Sequence, residues 1–183
     1  FYDHFKSQFD VKLVSDKRGK DYIDKKKYNF DIIDAPKPLK NILFSPFFII
    51  FFFLSIFKSL IFLKTHKINY LISTGGYMSL PFCIAAKIIN LNIFLFEPNM
   101  VLGRSNKFVL SFSTKVFCYY EDIINFPKKF KNKISLIDRL LRKDSYYLGK
   151  NKTQEISKNF KILVIGGSQG ASFFDDEIKK VVE

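Results

Sequence analysis

Short apolar runs recur along this chain, and their texture limits the fold more than any other feature. They are VKLVS (11–15), FDIID (30–34), NYLIST (69–74), NIFLFE (92–97), KVFCYY (115–120), KISLI (133–137) and KILVIGG (161–167). Most are nearly continuous, not alternating, which is the pattern of strands covered on both faces of a parallel sheet. Helical patterns at 17–27, 40–67, 78–90, 103–112 and 172–182 stand between them. Strand–helix alternation predicts βαβ units and a doubly wound, Rossmann-like α/β sheet with flanking helices. A polar stretch, LGKNKTQEISKN (148–159), has no apolar period and reads as a linker. The expected organisation is a first domain over 1–147 and, after the linker, the opening strand, turn and helix of a second domain over 160–183.

The 183 residues have room for one medium domain, or one domain and part of another. A hydrophobic content of 48% excludes wholesale disorder. Thirty Lys and Arg against 17 Asp and Glu give a net charge of +13, which favours an anionic partner such as acidic lipid or a phosphorylated ligand. The lysines are scattered and no RNP-like or zinc-finger pattern accompanies them, so nucleic acid is not expected. An AT-rich genome would also raise Lys, Asn, Ile and Phe together. Cys83 and Cys118 stand in apolar surroundings without metal-ligand spacing; buried reduced thiols, a cytoplasmic compartment and no metal are expected. The chain opens on Phe1 without a secretory n-region, the expectation for a processed N-terminus or a fragment.

Two glycine turns follow apolar runs and precede helical patterns: STGGYMSLP (73–81) and GGSQGAS (166–172). Glycine lets the backbone turn sharply and approach a ligand closely, and a helix start presents N–H groups to an anion. Neither turn is a P-loop, and neither matches G-x-G-x-x-G, so neither NTP hydrolysis nor dinucleotide chemistry is indicated. A glycine pair here is also what any tight turn requires. Two such turns, one in each expected domain, point to a phosphate or nucleotide-sugar ligand between domains.

The most apolar stretch is FSPFFIIFFFLSIFKSLIFL (44–63). It is long enough to span a bilayer, which takes about 20 residues. Yet the strands before and after it are expected in one parallel sheet, and a single crossing would put them in different compartments. Lysines flank both ends and Lys58 interrupts the run, with Ser55, Lys58 and Ser59 expected on one helix face. The expectation is a crossover helix with excess apolar surface that inserts among lipid headgroups through Phe47, Phe48, Phe51, Phe52 and Lys58. An ordinary buried helix is the plain alternative.

Three segments carry a resemblance to a known family. STGGYMSLPFCIAAKI resembles the GGYxSxPxxxAA segment of the MurG glycosyltransferases, NIFLFEPNMVLGRSNKFVLSFSTKVF resembles their HEQNxxxGxxNxxLxxxAxxV, and KILVIGGSQGAS resembles their GGSQGA. The similarity runs in order from about residue 11 to the last. It implies a GT-B architecture of two Rossmann-like domains facing a cleft. It also implies inverting transfer of N-acetylglucosamine from UDP-GlcNAc, a substrate and not a cofactor, to undecaprenyl-pyrophosphoryl-MurNAc-pentapeptide, with no cofactor and no metal. The family works on the cytoplasmic face of the inner membrane, peripherally, so an anionic membrane surface and the undecaprenyl-linked acceptor are implied partners. Gly75, Gly76 and the adjoining Tyr77 match the acceptor-pyrophosphate turn. Asn99 and Ser168 match donor-binding residues, with Gly166, Gly167, Gln169 and Gly170 in the same donor-domain turn. Arg142, in RLLR, is the match to the arginine of the family's NPVR.

The sequence also departs from that pattern. The family's His and Gln beside Glu97 are Phe96 and Pro98 here, and the chain begins after the place of its N-terminal GGTGGH turn. Glu97 is expected to act behind the ligand-contacting residues or to hold a loop backbone. Tyr77 reaches a ligand or packs over a helix start. His4 and His66 match no motif and are expected at the surface, so no general base is assigned. Two other readings stay open: a GT-B transferase for another lipid, such as diacylglycerol, and an inactive membrane-binding relative or fragment.

Overall fold

The computed structural model describes residues 2–36 and 46–140. The chain divides into two compact units, Phe1–Leu141 and Arg142–Glu183, and the fold set out here is that of the first. The expected linker, the strand at 161–167 and the helix at 172–182 lie outside the described residues.

Parallel pairing dominates. β1 (Leu13–Ser15) runs beside β2 (Phe30–Ile32), with Leu13 opposite Phe30. A second ladder has the order β3 (Tyr70–Ser73), β4 (Asn92–Glu97), β5 (Lys115–Cys118), β6 (Ile134–Leu136). Its register sets Leu71 against Ile93, Leu95 against Val116, and Val116 against Ile134. A short helix α1 (Tyr2–Phe5) precedes β1. The long helix α2 (Pro46–Thr65) joins β2 to β3, and α3 (Ser79–Ile88) joins β3 to β4. α4 (Arg104–Val109) continues into a 3-10 turn, Leu110–Phe112, before β5, and a second 3-10 turn, Lys128–Lys133, leads into β6. Parallel neighbours need such crossovers because their ends lie at opposite edges of the sheet.

The core forms where β4 and β5 meet the helices. Ile93, Leu95, Val116 and Cys118 are fully buried with Cys83, Ala85 and Ala86 of α3 and Leu110. Two adjacent alanines let α3 lie close to the sheet. β4 alternates instead of being covered equally on both faces: Ile93, Leu95 and Glu97 are buried, while Phe94 and Phe96 are half-buried. The latter side carries an aromatic row. Phe94 meets Tyr70 at 6.1 Å and Phe117 at 5.5 Å, and Phe96 meets Tyr119 edge-on at 5.5 Å. Such cross-strand ring pairs help to hold register. Lys133 closes the α4 segment, its Nζ donating to the carbonyls of Leu110, Ser111 and Ser113 at 2.9, 3.0 and 2.6 Å.

The structure corrects several expectations. The helical pattern at 17–27 is a single 3-10 turn, Gly19–Tyr22, followed by turns. Aspartates compete for the backbone there: Asp16 Oδ1 takes the Gly19 N–H at 2.7 Å and Asp24 Oδ1 the Lys26 N–H at 2.9 Å. The expected helix at 40–67 is described from Pro46, a residue suited to a first helical position, and stops before Lys67, whose φ is +48°. The helix expected to reach residue 90 ends at Ile88, and Asn90 turns the chain with φ +56°. β2 and β3 do not share one ladder. The two flanks of α2 are instead held on one body by contacts between the ladders. Val14 and Ile33 pack on the same core as β4, and Tyr77 and Asp16 bond to each other across the two ladders.

Ser55 and Ser59 also separate from Lys58. Both serines are buried on the packed side of α2 with Ile56 and Leu63, while Lys58 faces out. The Ser55 hydroxyl is shared between the carbonyls of Asp34 at 2.8 Å and Phe51 at 2.9 Å, and Ser59 donates to the Ser55 carbonyl at 2.8 Å. The packed face of this helix thus contains its hydroxyls, and its most exposed side contains rings.

Candidate functional site

In open α/β sheets ligands gather at the carboxyl ends of the strands. The turn after β3 is built for that position. Gly75 and Gly76 have φ of +85° and +82°, which L side chains rarely adopt. Ser73 Oγ accepts from the Gly75 N–H at 3.2 Å, and Ser79 Oγ donates to the Gly76 carbonyl at 2.7 Å, closing the turn onto α3. Met78, before the first residue of α3, supplies no side-chain cap. The first N–H groups of α3 are instead engaged by the turn itself, Ser79 donating to the Gly76 carbonyl at 3.2 Å and Leu80 to the Tyr77 carbonyl at 3.3 Å, and Pro81 has none.

The next strand end is organised by Glu97, which is 2% exposed. Its Oε1 accepts from the Asn99 backbone N–H at 3.3 Å and from Asn99 Nδ2 at 3.0 Å. Its Oε2 accepts from the Gly103 N–H at 2.8 Å and from Asn106 Nδ2 at 3.0 Å. A carboxylate engaged on both oxygens holds the loop between β4 and α4; it is not placed to take a substrate proton. Asn99 is thereby fixed at the surface with its amide nitrogen turned inward, leaving the amide oxygen to face out as an acceptor.

Asn106 stands between the two turns, and sequence reasoning missed it. Its Nδ2 also donates to the Phe96 carbonyl at 3.2 Å, so two acceptors fix the amide's orientation. Its Oδ1 is buried with no hydrogen-bond partner among the described residues. A Cβ added at Gly75 would come within 3.4 Å of that amide. The signal was present: Asn106 falls on the second asparagine of the HEQNxxxGxxN pattern, in GRSN.

Sequence reasoning also missed the turn after β1. Asp16, 8% exposed, pairs with Arg18, whose Nε donates at 3.1 Å. The same carboxylate oxygen accepts from the Tyr77 hydroxyl at 3.2 Å. The Arg18 guanidinium lies over the Tyr77 ring, 4.4 Å from its centre. Tyr77 is thus held at the glycine turn by a carboxylate from another ladder. No local motif in SDKRGKD announces that contact, which is made at a separation of 61 residues.

Of the outer-helix residues, Phe47 and Phe51 are 71% and 57% exposed, and Lys58 is exposed with them. Phe48 and Phe52 instead stack on each other with centroids 6.0 Å apart, and Phe52 packs against the core. The outward side is completed by Phe53, Phe57 and Ile61. α2 is the one helix among the described residues long and apolar enough to cross a membrane. His4 and His66 are exposed. Cys83 and Cys118 are buried free thiols. Ser168, Arg142, Gly166, Gly167, Gln169 and Gly170 lie outside the described residues.

Residues 2–118 match the model of the glycosyltransferase family 28 N-terminal domain. Over 181 residues the chain is 49% identical to the UDP-N-acetylglucosamine--N-acetylmuramyl-(pentapeptide) pyrophosphoryl-undecaprenol N-acetylglucosamine transferase of Pelagibacter ubique, covering 99% of this chain and 50% of that protein. The protein of the same description from Rickettsia canadensis is 32% identical over 97% of this chain and 49% of its own length. The crystal structure of Acinetobacter baumannii MurG superposes with a TM-score of 0.67 at 18% identity, over 96% of this chain and 47% of that one. That match supports a Rossmann-like α/β fold. The chain spans about half the length of the curated relatives it matches.

Proposed function

The chain belongs to glycosyltransferase family 28, whose N-terminal domain it carries, and from that premise we propose that the whole protein moves N-acetylglucosamine from UDP-GlcNAc to undecaprenyl-pyrophosphoryl-MurNAc-pentapeptide in peptidoglycan synthesis. The observation that carries this reading is the 49% identity to the Pelagibacter transferase over 99% of the chain.

In this reading the Gly75–Gly76–Tyr77 turn holds the acceptor's pyrophosphate, where two glycines of positive φ allow close backbone approach to an anion. Asn99 offers its amide oxygen to donor hydroxyls from a loop that Glu97 holds fixed. By the family resemblance Ser168 and Arg142 bind the donor as well, with Gly166, Gly167, Gln169 and Gly170 in the same turn as Ser168 and the arginine suiting phosphate. The acceptor hydroxyl attacks the anomeric carbon, loses its proton and inverts the centre as UDP departs. Glu97, already accepting four hydrogen bonds, is not that proton's acceptor.

The outward rings of α2 lie in the headgroup region of an anionic membrane, on the cytoplasmic side where the lipid's headgroup is reached. Exposed apolar area of this extent on one helix is characteristic of such an interface. The test is transfer by the full-length protein with UDP-GlcNAc and an analogue of the undecaprenyl-linked acceptor. Transfer to that analogue supports the reading. Transfer to diacylglycerol alone, or to neither lipid, overturns it.

A further inference from the structure

Arg18 is the feature that the proposed reaction leaves unused. It stands on the turn after β1, and its guanidinium is fixed from two sides. Asp16 engages Nε and one terminal nitrogen, and the Tyr77 ring lies 4.4 Å beneath. The Asp16 carboxylate is itself held by the Gly19 N–H at 2.7 Å and by the Tyr77 hydroxyl at 3.2 Å. Gly19 follows Arg18 in this turn and sits close against Ser15, where a Cβ would meet the Ser15 hydroxyl. The backbone thus delivers Arg18 to Tyr77, and Tyr77 adjoins Gly75 and Gly76.

We propose that Arg18 is an acceptor-binding residue: its second terminal nitrogen donates to the pyrophosphoryl group held at the Gly75–Gly76 turn. This rests on the transferase reading given above. Three physical points carry it. A guanidinium stays charged at any working pH and keeps N–H donors on the nitrogen that Asp16 does not engage. Stacking on a ring and pairing with a carboxylate fix its plane before ligand arrives, so little side-chain freedom is lost on binding. The side chain remains 54% exposed, although its partner Asp16 is only 11% exposed, so the charged end is presented to solvent. A purely architectural pair would serve equally well with the cation covered.

The test uses the full-length protein, with Arg18→Met to remove the charge and Arg18→Lys to keep charge without the planar fork. Arg18→Met should raise KM for the lipid acceptor by about tenfold to a hundredfold, the loss of one charge-assisted hydrogen bond. KM for UDP-GlcNAc should stay as in the parent, while the thermal midpoint falls, because buried Asp16 loses its cation and the Tyr77 ring its guanidinium. Arg18→Lys should fall between the two. In parallel, titration with inorganic pyrophosphate should show the same loss of affinity in Arg18→Met without any transfer reaction. That second measurement separates the two claims. A parent protein that binds pyrophosphate but transfers to no lipid refutes the transferase reading alone. The Arg18 assignment falls if pyrophosphate affinity is unchanged in Arg18→Met. It also falls if the two KM values rise together, the mark of a structural pair, or if only the UDP-GlcNAc KM rises, which would assign the contact to the donor's diphosphate.

Discussion

Replacing Phe51 and Phe57 together by serine should detach the protein from anionic vesicles while leaving its fold intact. The two rings are 57% and 61% exposed, so the change removes surface that the core does not use. Full burial of a phenylalanine is worth about 1.5–3 kcal/mol, and sinking the exposed part of each ring into a headgroup layer contributes about 1–2 kcal/mol. The pair therefore accounts for about 2–4 kcal/mol, or a roughly 30-fold to 900-fold weaker partition coefficient. Lys58 on the same outward side contributes about 1 kcal/mol against an anionic leaflet, so Lys58→Gln should weaken binding only about fivefold. Cosedimentation with vesicles of phosphatidylglycerol and phosphatidylcholine, over a range of lipid concentrations, measures both. The thermal midpoint of the double variant should match the parent. The reasoning is refuted if the double variant sediments like the parent, or if Lys58→Gln or high salt alone abolishes binding. Retention on membranes after alkaline carbonate would refute the interfacial geometry in favour of a span.

Three further outcomes follow from the site. Gly75→Ala and Gly76→Ala should each lose about 1–2 kcal/mol to a left-handed backbone, because the new methyl makes only ordinary contact with the Asn106 amide at residue 75, at 3.4 Å, and meets nothing within 4 Å at residue 76. Urea unfolding midpoints should fall by similar amounts, and a much larger loss at residue 75 would mean that the Asn106 amide cannot give way. Glu97→Gln turns two amide hydrogens toward existing donors and should cost about 2–4 kcal/mol by the same assay, with KM for UDP-GlcNAc rising as the Asn99 loop loosens. Burial pushes the Cys83 thiol up to about 11, against a smaller opposing effect of the Ser73 hydrogen bond. Its folded-state value lies above the unfolded value of 9.0, so its contribution to stability is whole below that pH and is lost as pH rises toward 11. Unfolding midpoints at pH 8 and pH 10.5 should therefore diverge more for the parent than for Cys83→Ala, and thiol reagents at pH 8 should label neither buried cysteine until the protein is denatured.

Much of this was legible in the sequence because the relevant forces are local. Each of the first six apolar runs contains the strand expected of it, and the glycine pair sits at a strand end with positive φ. What failed was competition between local forces. Lys17 to Lys27 has the composition of a helix, but Asp16 and Asp24 bind nearby N–H groups and Gly19 packs against Ser15. Orientation also failed where composition is nearly uniform. A helix of phenylalanines and isoleucines gives no strong period, so the inward side could be recognised only from Ser55 and Ser59, whose hydroxyls bond to carbonyls already present. Long-range contacts were the least legible. Nothing in SDKRGKD specifies that its aspartate should meet a tyrosine 61 residues away.

The position of β3 at the end of its ladder has a practical consequence. Among the described residues one side of that strand is unpaired, and its Tyr70 and Ile72 are exposed at 58% and 36%. A row of open N–H and C=O groups beside apolar side chains is a template for another strand. The 183-residue polypeptide, handled by itself, therefore carries two separate causes of self-association. Detergent would cover the rings of α2, but it offers no hydrogen bonds to a strand edge. Keeping this polypeptide monomeric should need a remedy at the edge as well, such as a charged residue at position 72.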